Sequence, residues 1–272
     1  MLDLLPTQKG NTMPNWCTNR LTVFDKQDGT ELQKFVDAIT LPEDHEAEHD
    51  LTLPYPTPEI LLGTRSPKQT VESVEEMRTK RDAGGMKAHE NYVGDIHGPT
   101  GSWCTDEYLQ EMLDQIKQGE QAEKETGFDN WYNWNITHWS TKWSPDVHEV
   151  SVATDADGGS VATVGYQTAW APAENLILQL SKLFPKLLFV EAYLEEGMGF
   201  WGANTYIKGE QRHGYIGDHD QDELLAELND HFNQEMDGDQ EQEAWEAVSS
   251  RWMELMDRAE TDAITVGNLL SA

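Results

Sequence analysis

Basic residues are scarce in this chain: 19 Lys and Arg stand against 50 Asp and Glu, a formal net charge of −31 over 272 residues. Binding to phosphate backbones draws its affinity from cations that release counterions, so direct nucleic-acid binding is disfavoured. Cysteine is nearly absent as well, with only Cys17 and Cys104, which form neither a close pair nor a CxxC. A disulfide framework and a thiolate metal centre are therefore both without support. No apolar run approaches the roughly 18 residues that a membrane helix needs, and no charged-then-apolar leader precedes Met13, so the expectation is a reduced, cytoplasmic protein with no membrane partner. The phosphate-cradling, zincin and serine-hydrolase motifs are missing too, which leaves no cofactor or metal to expect.

What the chain has instead is tryptophan. Six of its ten tryptophans lie between 131 and 201: Trp131, Trp134, Trp139, Trp143, Trp170 and Trp201. Large rings at this density mark either a packed core or a recognition surface.

Taken in order, residues 1–12 contain no full period and read as a loose extension, with Met13 a candidate natural start. Asn19 to Phe24 alternates around β-formers and predicts a strand. Leu32, Phe35, Val36 and Ile39 then fall at helical spacing, and Pro42 ends that helix. Five prolines between 42 and 68 make an extended connection. Two helices, Val71 to Arg81 and Asp106 to Lys117, follow around a glycine-rich link, and 42–127 reads as an insertion. Trp131 to Trp143 suits a short helix or a tight aromatic turn. Val147 to Thr154 and Ser160 to Thr168 flank DADGG as a hairpin, because Gly and Asp tolerate the backbone that tight turns require. Pro172 opens a helix bearing Leu176, Ile177, Leu180 and Leu183, closed by Pro185. Leu187 to Leu194 and Trp201 to Lys208 are two further strands.

The resulting order, strand, helix, hairpin, helix, strand with one strand added, is βαββαβ. This is an α+β ferredoxin-like antiparallel sheet covered by two helices on one face, spanning 13–210 with the insertion inside it. Residues 211–272 carry 16 acidic residues against Arg212, Arg251 and Arg258. Two apolar stripes nevertheless recur there at helical spacing, Leu224, Leu225, Leu228 and Phe232, then Trp245, Val248, Trp252, Leu255 and Met256. An acidic helical extension packed on the sheet domain or on a partner is expected.

Pro14, Asn15, Trp16, Cys17 and Asn19, with Trp139, Thr141, Lys142 and Trp143, then Thr168, Trp170, Pro172, Phe184, Pro185, Glu196, Gly197 and Gly202, resemble the YubB ferredoxin-like family of phage and plasmid proteins. In that family the motif reads WGTKW, and Ser140 here stands where its glycine does. The resemblance covers about 13–41 and 131–209. It implies the same fold and an origin in mobile elements, and it carries over no catalytic residue.

Cys17 would need a neighbouring base and a depressed pKa to act as a nucleophile; His138 and His148 are the available histidines, and a structural, buried cysteine is the reading preferred. Asp146, His148 and Glu149 place three possible ligands in four residues, with alternation sending Asp146 and His148 to one side, but no second cluster joins them. The candidate binding residues are Trp139, Lys142, Trp143, Trp170, Trp201, Trp245 and Trp252. Trp139, Trp143 and Trp170 are expected near one another, as a plug for the sheet or as a groove. The functional expectation is a non-enzymatic phage or plasmid accessory protein that binds a host or phage protein. The alternatives are an acidic mimic of nucleic acid that blocks a DNA-binding protein, and an enzyme or small-ligand binder using Cys17, His138 and the aromatic pocket.

Overall fold

The computed structural model describes residues 15–83, 104–154, 159–218, 222 and 238–271. The expected loose extension, most of the glycine-rich link, four residues of the DADGG turn and the Leu224 to Phe232 stripe lie outside them.

β1 (Trp16–Asp25) is the strand around which the sheet forms. It pairs antiparallel with β3 (Ser160–Ala169) on one side and β4 (Leu188–Glu195) on the other, with Leu21 opposite Val164 and Glu191. β2 (Asp146–Thr154) joins β3, while β5 (Phe200–Ile207) and β6 (Glu210–Asp218) continue beyond β4, giving the order β2-β3-β1-β4-β5-β6. The first four strands, with α1 (Thr30–Ile39) after β1 and α6 (Glu174–Leu183) between β3 and β4, make the ferredoxin-like unit that the βαββαβ order predicts. Asp25, at the end of β1, accepts hydrogen bonds from the backbone N–H groups of Glu31 and Leu32 and so satisfies donors that the first turn of α1 leaves open.

Alternation divides the sheet chemically. Cys17, Asn19, Leu21 and Val23 share a face with Phe189, Glu191, Tyr193 and Tyr206, and α1 and α6 cover it. Phe35 of α1 meets Phe189 edge-on at 5.6 Å and Phe184 at 5.5 Å. The opposite face presents Phe24, Val190, Ala192, Leu194, Trp201 and Ala203. A two-helix ferredoxin-like unit leaves that face open, but here α7 (Gly238–Ser271) lies across it with Val248, Trp252, Leu255, Met256, Ala259 and Ala263. The small residues Ala259, Ala263 and Gly267 recur every four positions and bring the helix close. A Cβ at Gly267 would stand 3.1 Å from Leu188 and Thr205, and Thr205 Oγ1 donates to the Ala263 carbonyl.

One expectation about the chain after 210 changes. Residues 211–218, expected to begin the helical extension, belong instead to the edge strand β6. Its sequence, EQRHGYIGD, has no alternation because it is paired on one side and mostly exposed. The signal for it is the two-residue turn Lys208-Gly209, with φ of 54° and 75°, which is the hairpin turn that joins antiparallel neighbours tightly. The second tail stripe is helical as expected, and it belongs to the fold.

The described residues separate into two compact units, one holding the sheet, within 15–56 and 135–271, and one within 57–134. In the second unit α2 (Glu59–Leu62), α3 (Val71–Asp82) and α4 (Asp106–Thr126) gather around Val74, Cys104, Leu109 and Met112. Thr70 and Ser73 form a reciprocal capping box at α3, and Thr105 caps α4. Arg81 bridges the start of α4 through the Cys104 carbonyl and Asp106.

Candidate functional site

The tryptophans expected to act together divide by burial. Trp201 and Trp252 are each 3% exposed and meet edge-on at 5.5 Å beneath α7. As candidate binding residues they are corrected: they are core, because β5 and α7 present them to each other. The side chain of Trp245 lies outside the described residues. Trp139, at the end of α5 (Trp131–Trp139), is 4% exposed and donates its indole N–H to the Tyr55 carbonyl at 3.1 Å, so it too is held inside.

The others are at the surface. Ser140 follows α5 with φ of 64°, the left-handed region that glycine enters without cost, which accounts for the glycine of the resembling motif. Its hydroxyl accepts the Asn175 N–H at 3.2 Å, and Asn175 Nδ2 donates to the Thr137 carbonyl. The turn delivers Lys142 and Trp143, with the Lys142 ammonium 4.5 Å from the Trp143 ring centroid. Trp143 lies 6.4 Å from Trp16, which opens β1 and is 40% exposed. Trp170 follows the last residue of β3, with its N–H donating to the Asn15 carbonyl at 3.0 Å. It is 44% exposed and holds φ of 72°, so its ring is no plug for the core. Sequence reasoning found Lys142, Trp143 and Trp170 but missed Trp16 as a site residue. In the sequence Trp16 falls before the strand expected from Asn19 to Phe24, and it enters only as a matched position of the resemblance, whereas β1 begins at Trp16 itself.

β2 changes the expected grouping of Asp146, His148 and Glu149. A bulge between Val147 and Glu149 breaks the alternation, so that His148 and Glu149 both lie over Gly165. Among the described residues no group of three or more His, Cys, Asp or Glu is placed to hold a metal ion.

Beneath α6 lies a buried polar layer that sequence reasoning did not find. Glu191, on β4, is fully buried; Tyr166 donates to its carboxyl at 2.6 Å and Tyr206 at 3.3 Å. Burial pushes the Glu191 carboxyl up to about 8, with Glu174 adding repulsion, and the two tyrosine hydroxyls only partly offset this. Asn204 Nδ2 donates to Glu174 at 2.8 Å, and Asn19 Nδ2 donates to Thr168 Oγ1 and to the Cys17 carbonyl. Burial, followed by Glu191, pushes the Cys17 thiol far up, the reverse of what a nucleophile needs. His138, held by Tyr55 at 2.9 Å, has its pKa lowered by burial. The sequence signal for this layer was present, since a Glu within the run LFVEAYLE is out of place on a strand buried on both faces.

The fold is that of a ferredoxin-like α+β domain, with Trp16 and Trp170 exposed at one end of the sheet. Residues 147–246 match the family model described as the ferredoxin-like domain in Api92-like protein. No curated protein matches the chain. Among solved structures, the protein Api92 from Yersinia pseudotuberculosis aligns over 75% of this chain and 98% of its own at 12% identity, with a TM-score of 0.37, a likeness on which nothing further rests.

Proposed function

We propose that this chain is a non-enzymatic binding protein whose contact surface is the sheet end that carries Trp16, Lys142, Trp143 and Trp170. The observation that supports it is the exposure of Trp16 and Trp170, 40% and 44%, on backbone that is itself firmly hydrogen-bonded. Exposed rings on a rigid support lose little entropy when they dock, and tryptophan is prominent among interface hot spots. Lys142 over Trp143 adds a cation to an otherwise acidic molecule, suited to a carboxylate on the partner. The partner class is another protein, of phage or host in the mobile-element setting that the sequence resemblance implies.

The test is affinity purification of the tagged full chain from cells that carry its gene, run beside Trp16→Ala and Trp170→Gly. Partners retained by the wild type and lost by both variants, with melting temperatures no lower than that of the wild type, support the reading. Equal retention by all three would place the contact elsewhere.

A further inference from the structure

We propose that Glu195 is the buried anchor of the aromatic end, a site for one arginine side chain of a partner protein, whose guanidinium donates to the carboxylate oxygen Oε1 while its stem lies against Trp16 and Trp170. The partner rests on the reading of that end as a contact surface, but the site itself is tested without one.

Glu195 closes β4 and is fully buried. Its Oε2 accepts the Met198 N–H in the turn that leads to β5, whereas Oε1 is enclosed with no hydrogen-bond partner, and no Lys, Arg or His among the described residues pairs with it. A buried carboxylate oxygen without a donor is costly, and Glu191 on the same face shows the usual remedy, the Tyr166 hydroxyl on its Oε1. Among the described residues of the sheet unit one other buried side-chain polar atom lacks a partner, Thr141 Oγ1, and Thr141 stands between Ser140 and Lys142 in the turn that delivers Trp143. Unmet polar capacity in that unit thus gathers where the rings are exposed.

The backbone places Oε1 at that end. Leu194, which precedes Glu195, is opposite Thr18, close to Trp16 at the start of β1. The Asn15 carbonyl accepts the Trp170 N–H, so Asn15 links Trp170 to Trp16. A Cβ built at Gly197, an exposed residue of the turn, would meet Asn15 Nδ2 and stand 3.1 Å from Oε1. The carboxylate therefore lies just under a position that carries no side chain, with the Asn15 amide beside it. That amide makes no side-chain hydrogen bond among the described residues, so it turns aside without breaking one.

Arginine is the cation this arrangement suits. Its guanidinium is planar, weakly hydrated and stacks on indole faces, and it gives the one open oxygen a charge-assisted bond. The net charge of −31 attracts cations in general, but an enclosed pair is screened far less than exposed ones.

The experiment is a titration of the full chain with Nα-acetyl-arginine amide at fixed ionic strength, read at the Glu195 carboxyl carbon and the Met198 amide, with Nα-acetyl-citrulline amide as the uncharged control. The wild type should show a saturable shift at both atoms with the arginine probe and none with citrulline. Glu195→Gln, which keeps an oxygen for Met198, should weaken binding by about tenfold or more, the worth of a charge-assisted hydrogen bond. Glu196→Gln, which removes an exposed charge next to it, should change binding by less than about threefold. No saturable shift, equal binding of citrulline, or equal weakening by both substitutions would overturn the site, the last leaving only the general attraction of cations to an acidic surface. Tighter binding of Nα-acetyl-lysine amide would overturn the choice of arginine. Should Glu195→Gln fail to fold, the wild-type carboxyl carbon decides through the contrast between the arginine and citrulline probes. A bound probe beside an affinity purification that retains nothing would retire the partner reading and keep the site; a retained partner with no bound probe would do the reverse.

Discussion

Tryptophan serves two purposes in this chain, and substitution should separate them. Trp252 is enclosed between Trp201 and the apolar sheet face, so Trp252→Ala should cost about 3–5 kcal/mol in denaturant unfolding, as large aromatic deletions from cores do. Trp170 is the opposite case. Its ring is largely in water and its φ of 72° is a region that favours glycine. Trp170→Gly should therefore leave stability unchanged or raise it by up to about 1 kcal/mol, with the relief of strain set against the lost ring contacts. A destabilisation of Trp170→Gly comparable with that of Trp252→Ala would return the ring to the core. The composition was informative about the number of rings and silent about this division, because exposure depends on which strand face and which turn each ring occupies.

At the level of elements, α7 is held by an ion-pair group as well as by apolar contact. Arg20 Nη1 lies 2.7 Å from both Asp257 and Glu260, and Thr22 Oγ1 donates to Glu260 at 2.6 Å. Glu260 is mostly buried, so Arg20→Ala leaves its charge with a hydroxyl alone and should cost about 2–3 kcal/mol. Adding Glu260→Gln should recover part of that loss, and a double-mutant cycle reading zero would show that the pair contributes nothing. Periodicity made most elements legible: β1, α1, the β2–β3 hairpin, α6, β4 and β5 all lie where alternation or a helical stripe placed them. What alternation could not reveal was irregular. The bulge that turns His148 and Glu149 to one side, and the edge strand β6, carry no apolar period, since neither buries a row of side chains. The docking of α7 was foreseen as one of two outcomes, because a stripe such as Val248, Trp252, Leu255 and Met256 announces a buried face without naming what covers it.

The charge of −31 is a property of the whole molecule and it acts against compactness, since 19 cations cannot neutralise 50 carboxylates wherever they are placed. Screening should relieve that self-repulsion. The melting temperature is expected to rise as NaCl goes from about 10 to 500 mM, over which range the Debye length contracts from about 30 Å to a few ångströms. A fall would mean that ion pairs such as Arg20 with Glu260 outweigh the general repulsion. The same titration, applied to a captured partner, separates aromatic contact from charge mimicry. Docking through Trp16, Trp143 and Trp170 should keep its affinity within about threefold over that range and fail on Trp16→Ala. Binding carried by the acidic surface should weaken by tenfold or more, and neutralising the exposed Glu243 and Glu246 should reproduce the effect of salt. The aromatic outcome is expected, because burial in hydrophobic contact is little affected by ionic strength while attraction between exposed charges is screened. Affinity lost both to salt and to Trp16→Ala would show Lys142, stacked on Trp143, acting as the charged part of the same surface.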